Sequence, residues 1–145
     1  MHIFVINGPN LNLLGQREPE IYGSNTYADL VALVEKTCAQ AGVSVDVFQS
    51  NHEGDLVDII QAAKEKANGI IINPAAYSHT SIAILDALKA VALPAVEVHL
   101  SNLKEREAFR QISYPGMACI QTIMGHGIDG YCQAVSHLIA HFQGK

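Results

Sequence analysis

The sequence predicts a doubly wound α/β sandwich, a parallel sheet of five strands with helices on both faces. Three observations lead there. Strand-like apolar runs alternate with segments of helical spacing along most of the chain. The run Gly69-Ile-Ile-Ile-Asn73 is apolar throughout, as a strand covered on both faces must be. At 145 residues the chain has the size of one ordinary domain, which buries about two-thirds of its unfolded surface. Right-handed crossovers follow, and ligand chemistry belongs at the carboxyl edge of such a sheet.

The elements are read in order. Residues 2–7, His-Ile-Phe-Val-Ile-Asn, stop at Gly8-Pro9, the punctuation of a strand (β1) feeding a loop. Residues 10–25 then form a connection of about sixteen residues where two to six are usual. Gly15 and Gly23 suit hinges, and Arg17 and Tyr22 between them suit a lid at about 15–24 that closes over a ligand; a polar surface loop is the plainer reading. Thr26-x-x-Asp29 is a capping box for a helix whose Leu30, Leu33, Val34 and Ala41 share one side and which Gly42 ends. Residues 43–49 are β2, and Leu56, Ile59, Ile60 and Ala63 space the next helix. Residues 69–73 are β3, stopped by Pro74; 79–91 are helical; 95–99 are β4; 118–124 are β5; a final helix runs from about 130 to 142.

Composition narrows the function. Charged residues are 16% of the chain against roughly 25% in ordinary soluble domains, a shortfall that points to surface hidden in an oligomer. With Lys+Arg 9 against Asp+Glu 14, the net charge of -5 offers no field for nucleic acid or an anionic membrane. An anionic substrate must therefore be held by a few local cations. Cys38, Cys119 and Cys132 have neither C-x-x-C nor zinc spacing, which fits a reducing cytoplasm. No apolar run approaches a membrane span, and the start of the chain reads as a strand rather than a targeting segment. His137 and His141 stand at i and i+4 on the last helix, but no third ligand or nearby base accompanies them, so they do not signal a metal.

The chemistry-bearing residues gather after the strands. Asn7 and Asn10 follow β1, Asn73 and His79 follow β3, and His99, Ser101 and Asn102 follow β4, so three loops converge on one crevice. In β4, Glu97 and His99 are two residues apart and share a face in a strand expected to be buried. A carboxylate beside an imidazole can fix its tautomer and hold it charged, which suits a general acid; a satisfied ion pair at a strand end is the alternative. Taken singly, Asn73 reads as a turn-forming Asn before Pro, His79 as a satisfied residue near a helix start, and Arg110 as a solvated surface arginine.

Together, Asn7-Gly-Pro-Asn-Leu-Asn-Leu-Leu-Gly15, Arg17-Glu-Pro with Ile21-Tyr-Gly23, Ile72-Asn-Pro-Ala-Ala-Tyr-Ser-His-Thr-Ser81, Glu97-Val-His-Leu-Ser-Asn102, and Arg106 with Phe109-Arg110 closely resemble the type II 3-dehydroquinate dehydratases. The match covers essentially the whole chain, including Ser113-Tyr114 and Gly130-Tyr131. The resemblance implies a flavodoxin-like fold over residues 1–145, no cofactor, and a homododecamer built as four trimers. It implies anti elimination of water from 3-dehydroquinate through an enolate to 3-dehydroshikimate, in aromatic biosynthesis or quinate breakdown. By motif position, Tyr22 is the base, Arg17 its activator, and His99 the general acid oriented by Glu97. Asn10, Asn73, His79, Ser101 and Arg110 hold the substrate, main-chain amides near Leu100 and Ser101 take its carboxylate, and Asp86 sits near a neighbouring subunit's site. Leu85 departs from the pattern, since many members have Arg before that Asp; Lys104 and Glu105 replace a frequent His-Ala pair.

The assigned chemistry is physically reasonable. A tyrosine of pKa about 10 is ionised to roughly one part in a thousand at pH 7, a deficit of about 4 kcal/mol. A guanidinium at about 4 Å offers about that much at an effective dielectric near 20. The competing readings are binding domains of the same architecture. A flavodoxin needs a phosphate loop after β1, where Pro9-Asn-Leu-Asn-Leu-Leu14 stands; a phosphorylated receiver needs clustered acids where Asn7 and Asn73 stand. A catalytically inactive relative of the fold is the remaining alternative.

Overall fold

The computed structural model describes residues 1–16 and 18–144, and of Tyr22 the backbone alone. Its five strands, β1 (His2–Asn7), β2 (Ser44–Gln49), β3 (Gly69–Asn73), β4 (Ala95–His99) and β5 (Gln121–Met124), are all parallel and ordered β2-β1-β3-β4-β5. The chain starts in the middle, steps outward to β2, then crosses back past β1. That reversal opens a crevice at the carboxyl ends of β1 and β3, where the register sets Asn7 beside Asn73.

Helices α1 (Pro19–Tyr22), α2 (Tyr27–Gln40), α3 (Glu53–Lys66), α4 (Ile82–Val91) and α5 (Asp129–Gln143) complete the chain with five short 3₁₀ turns. Side chains alternate across a strand, so each central strand feeds two cores. Ile3, Val5, Ile71, Val96 and Val98 pack with Leu30, Val34 and Cys38 of α2 and Ala134, Val135 and Leu138 of α5. Phe4, Ile6, Ile70, Ile72 and Ala95 pack with Leu56 and Ile60 of α3 and Ile84, Leu88 and Val91 of α4. While β4 carries the buried Glu97 at its centre, β3, and β1 after His2, are therefore apolar on both faces until the carboxyl end. There the same alternation sends Asn7 and Asn73 toward α5.

The expected elements are present, with shifted ends. The Thr26 box forms in both directions, Asp29 N–H to Thr26 Oγ1 at 3.1 Å and Thr26 N–H to Asp29 Oδ2 at 2.9 Å. The helix expected from residue 79 starts at Ile82, because Ser81 caps it through Ile84 N–H at 3.0 Å and Ala75–His79 wind as a 3₁₀ turn. The strand expected from 118 starts at Gln121, because Pro115 opens a 3₁₀ turn over Pro115–Ala118. The long connection after β1 contains the turn Leu11–Leu13 and α1, so it is not a bare loop. Gly8 allows the loops after β1 and β3 to touch: a Cβ there would lie 2.6 Å from the Pro74 carbonyl oxygen. Among the described residues no helix is long and apolar enough to cross a membrane.

Candidate active site

A cavity of about 210 Å³ opens at the carboxyl ends of β1, β3 and β4. Asn10 enters it from the first loop, Asn73 and His79 from the second, and His99, Leu100 and Ser101 from the third. Arg106 and Arg110 close one side, and Leu11 and Leu14 contribute apolar wall. Eight of the expected site residues thus line or support one cavity: Asn10, Asn73, His79, Glu97, His99, Leu100, Ser101 and Arg110. Asp86 does not join them; it lies exposed on α4, preceded by a Leu85 that is buried within this chain. Arg17 and the side chain of Tyr22 lie outside the described residues, so the lid pair is named by position alone.

His99 and Glu97 are both buried, 5% and 1% exposed, with Nε2 2.9 Å from Oε2. The contact has ion-pair distance, although Nε2 is not aligned for a regular hydrogen bond. With Nε2 turned to Glu97, Nδ1 is the ring nitrogen left to serve the cavity. Glu97 also accepts from the Thr122 hydroxyl at 2.9 Å and from the Ser113 hydroxyl. Burial pushes its carboxyl up, but His99 and these two hydroxyls outweigh burial and hold it below the usual carboxylate range. The pair therefore reads as a charged acceptor backing an imidazole.

Asn73 is held from both ends. Its Oδ1 accepts from Ala75 N–H at 3.1 Å, and its amide donates to the Tyr131 hydroxyl at 3.0 Å. That leaves one amide N–H for the cavity. Tyr131, from α5, donates in turn to Asn7 Oδ1 at 2.6 Å, and burial pushes its phenol well above the usual value. On the other wall His79 Nδ1 donates to the Ile112 carbonyl at 2.7 Å, which fixes that nitrogen as protonated. Asn10 has φ 69°, in the left-handed region that Asn tolerates, and its N–H donates to Asn51 Oδ1 at 3.0 Å.

The cationic side is ordered by one carboxylate. Glu107 Oε1 takes Arg106 Nε at 3.3 Å and Arg110 Nε at 3.2 Å, while Arg106 Nη1 donates to Ser101 Oγ at 3.2 Å. Arg106 lines the cavity but received no role from the sequence, although it stands in a matched motif. Tyr131, Ser113 and Thr122 were likewise missed as supports, and only the first two fell in quoted motifs. For Thr122 the signal is the register, which sets it opposite Glu97. Among the described residues, no group of three or more His, Cys, Asp or Glu could hold a metal ion. The arrangement suits a small polar, anionic ligand: cations on one wall, fixed amides beneath, and an imidazole backed by an ionised carboxylate.

Comparison with known proteins identifies the family. The family model for Dehydroquinase class II matches residues 1–139. A 3-dehydroquinate dehydratase of Rhodopseudomonas palustris is 55% identical over 95% of this chain and 92% of its own length. One from Streptomyces avermitilis is 57% identical over 95% of this chain and 87% of its own. The crystal structure of a type II dehydroquinase from Butyrivibrio crossotus superposes with a TM-score of 0.94 at 48% identity, covering 96% of this chain and 97% of that one. Fold and likeness along nearly the whole chain converge, and the chain belongs to the class II dehydroquinase family.

Proposed function

We propose that this chain is a hydro-lyase that removes water from 3-dehydroquinate to give 3-dehydroshikimate, the dehydration of the shikimate route to aromatic compounds. The observation that carries the reading is His99, buried in the cavity against an ionised Glu97, in a chain of this family. Elimination next to a ketone needs a base, an enolate stabiliser and an acid. Tyr22, ionised beside Arg17 on a lid at about 15–24, takes the proton adjacent to the carbonyl. The enolate is met by the free N–H of Asn73, directly or through a water, an interaction that strengthens as charge develops. The hydroxyl β to the carbonyl leaves as water with a proton from His99, and solvent exchange then returns the phenol's proton to the imidazole. Asn10, His79, Ser101 and Arg110 orient the ring, and the backbone at Leu100 and Ser101 receives the carboxylate.

The chain acts as one catalytic domain in the cytoplasm, within a homododecamer of four trimers in which Asp86 faces a neighbouring subunit's cavity. Phe109, Ile112 and Met117, 65%, 53% and 64% exposed, support assembly because so much apolar surface is rarely left to water on a monomer. The test is ultraviolet detection of the conjugated enone on adding 3-dehydroquinate to the purified protein without metal or nucleotide. Absence of turnover would overturn the assignment in favour of a binding domain.

A further inference from the structure

The two histidines of the cavity, His79 at the end of a 3₁₀ turn and His99 at the end of β4, are both served by a single three-residue segment, the second through Glu97. Ile112 offers its carbonyl to His79 Nδ1 at 2.7 Å, Ser113 gives its hydroxyl to Glu97, and Tyr114 N–H donates to the Ser78 carbonyl at 2.8 Å. The Ser113 hydroxyl has no freedom of direction. Its oxygen accepts from Gly116 N–H at 3.1 Å, so its own hydrogen is aimed at the carboxylate. Gly116 packs so closely that a Cβ there would lie 2.6 Å from Glu97 Oε1. Thr122 holds that same oxygen from β5. Both hydroxyls act as donors to Glu97, an arrangement that only the ionised carboxylate satisfies on both oxygens.

We propose that Ser113, with Thr122 as its counterpart, is a positioning residue that keeps Glu97 ionised and directed at His99, and that residues 112–114 set both histidines for the dehydration. The inference rests on the function assigned above and adds the device that aligns its acid. Glu97 thereby serves as a fixed anion rather than a proton carrier, since each of its oxygens accepts from a clamp hydroxyl, which favours the ionised form. The other titratable and charged groups near it are His99, the Cys119 thiol, whose pKa burial and the Glu97 charge push up to about 12, and Lys104 and Arg110 across the adjoining cleft.

A double-mutant cycle on kcat tests the coupling. Ser113→Ala should lower kcat by about tenfold or more with KM little changed, Ser113→Thr should recover part of it, and Ser113→Ala on a Glu97→Gln background should cost less than about twofold. Equal losses in both backgrounds would overturn the proposal, because a merely structural serine acts independently of Glu97. An infrared titration of the Glu97 carboxyl band, identified by its absence in Glu97→Gln, reads the clamp without substrate. The pH of protonation should rise in Ser113→Ala and, separately, in Thr122→Val, so a folding failure of one variant leaves the other decisive. An unchanged titration in a folded variant would sink the clamp. Failure of the parent protein to dehydrate 3-dehydroquinate would sink the assigned reaction instead, while the infrared result would still stand.

Discussion

Replacing Tyr131 with Phe isolates a single oxygen. Its hydroxyl donates to Asn7 Oδ1 at 2.6 Å and accepts from Asn73 at 3.0 Å, and the tyrosine and Asn7 are 0% exposed, Asn73 3%. Each hydrogen bond contributes about 1 kcal/mol net, and a buried amide left without a partner costs about 1–3 kcal/mol. The loss should be about 2–4 kcal/mol. For a domain of this size each kcal/mol moves Tm by roughly 3 °C, so the midpoint should fall by about 6–12 °C. Calorimetry or circular dichroism at equal protein concentration measures it, the concentration being fixed because assembly stabilises by mass action. The pH dependence supplies a second reading. Burial raises the folded phenol above the ordinary tyrosine value of about 10, so stability is fully present below pH 10 and is lost as pH rises beyond it, where the unfolded chain ionises first. Tyr131→Phe should flatten that alkaline decline in part, with Tyr27, raised by its own burial, supplying a remainder. A midpoint within about 2 °C of the parent would refute the reasoning, since the amides would then have satisfied themselves without the hydroxyl.

Other changes test separate parts of the site. Tyr22→Phe should lower kcat by orders of magnitude with modest change in substrate binding, as for a group acting mainly in the transition state; stopped-flow turnover with binding measured apart checks it. Trypsin should cut after Arg17 in the free enzyme and be blocked by saturating product, and unchanged cutting with ligand bound would refute a closing lid. Glu97 has a folded pKa below the ordinary carboxylate value of about 4.5, so its contribution to stability is present above that value and lost as pH falls through the folded one. Glu97→Gln should therefore reduce the steepness of acid unfolding. Gly116→Ala must push a methyl group to 2.6 Å from Glu97 Oε1, and should depress kcat more than KM in steady-state assays if the carboxylate moves off His99.

Much of this architecture was legible in the chain because its cues are local. The bounds of β3 and β4 match the expected ones, since a strand-like run ended by Pro74 or begun after Pro94 leaves little choice of where that strand stops or starts. The Thr26 box is likewise complete within four residues. What could not be read was set by distance along the chain. The hydroxyl of Tyr131 reaches Asn7 across 124 residues and Asn73 across 58, and no spacing rule links such positions. Arg106 was visible in a motif, yet its place in the cavity depends on two consecutive 3₁₀ turns, Leu103–Glu105 and Ala108–Arg110, which have no helical or strand periodicity. Asp86 took its expected role from family likeness, and on one chain it faces solvent instead of the cavity.

The reach of Tyr131 also bears on when the site comes into being. β1 and its asparagine leave the ribosome before α5 does. Until α5 docks, Asn7 and Asn73 have no hydroxyl between them and the floor of the crevice is open to water. A contact spanning 124 residues carries the entropic cost of closing a long loop, and pairing of the intervening strands shortens that loop. A chain arrested before α5 would carry the walls of the site without the hydroxyl that joins Asn7 to Asn73.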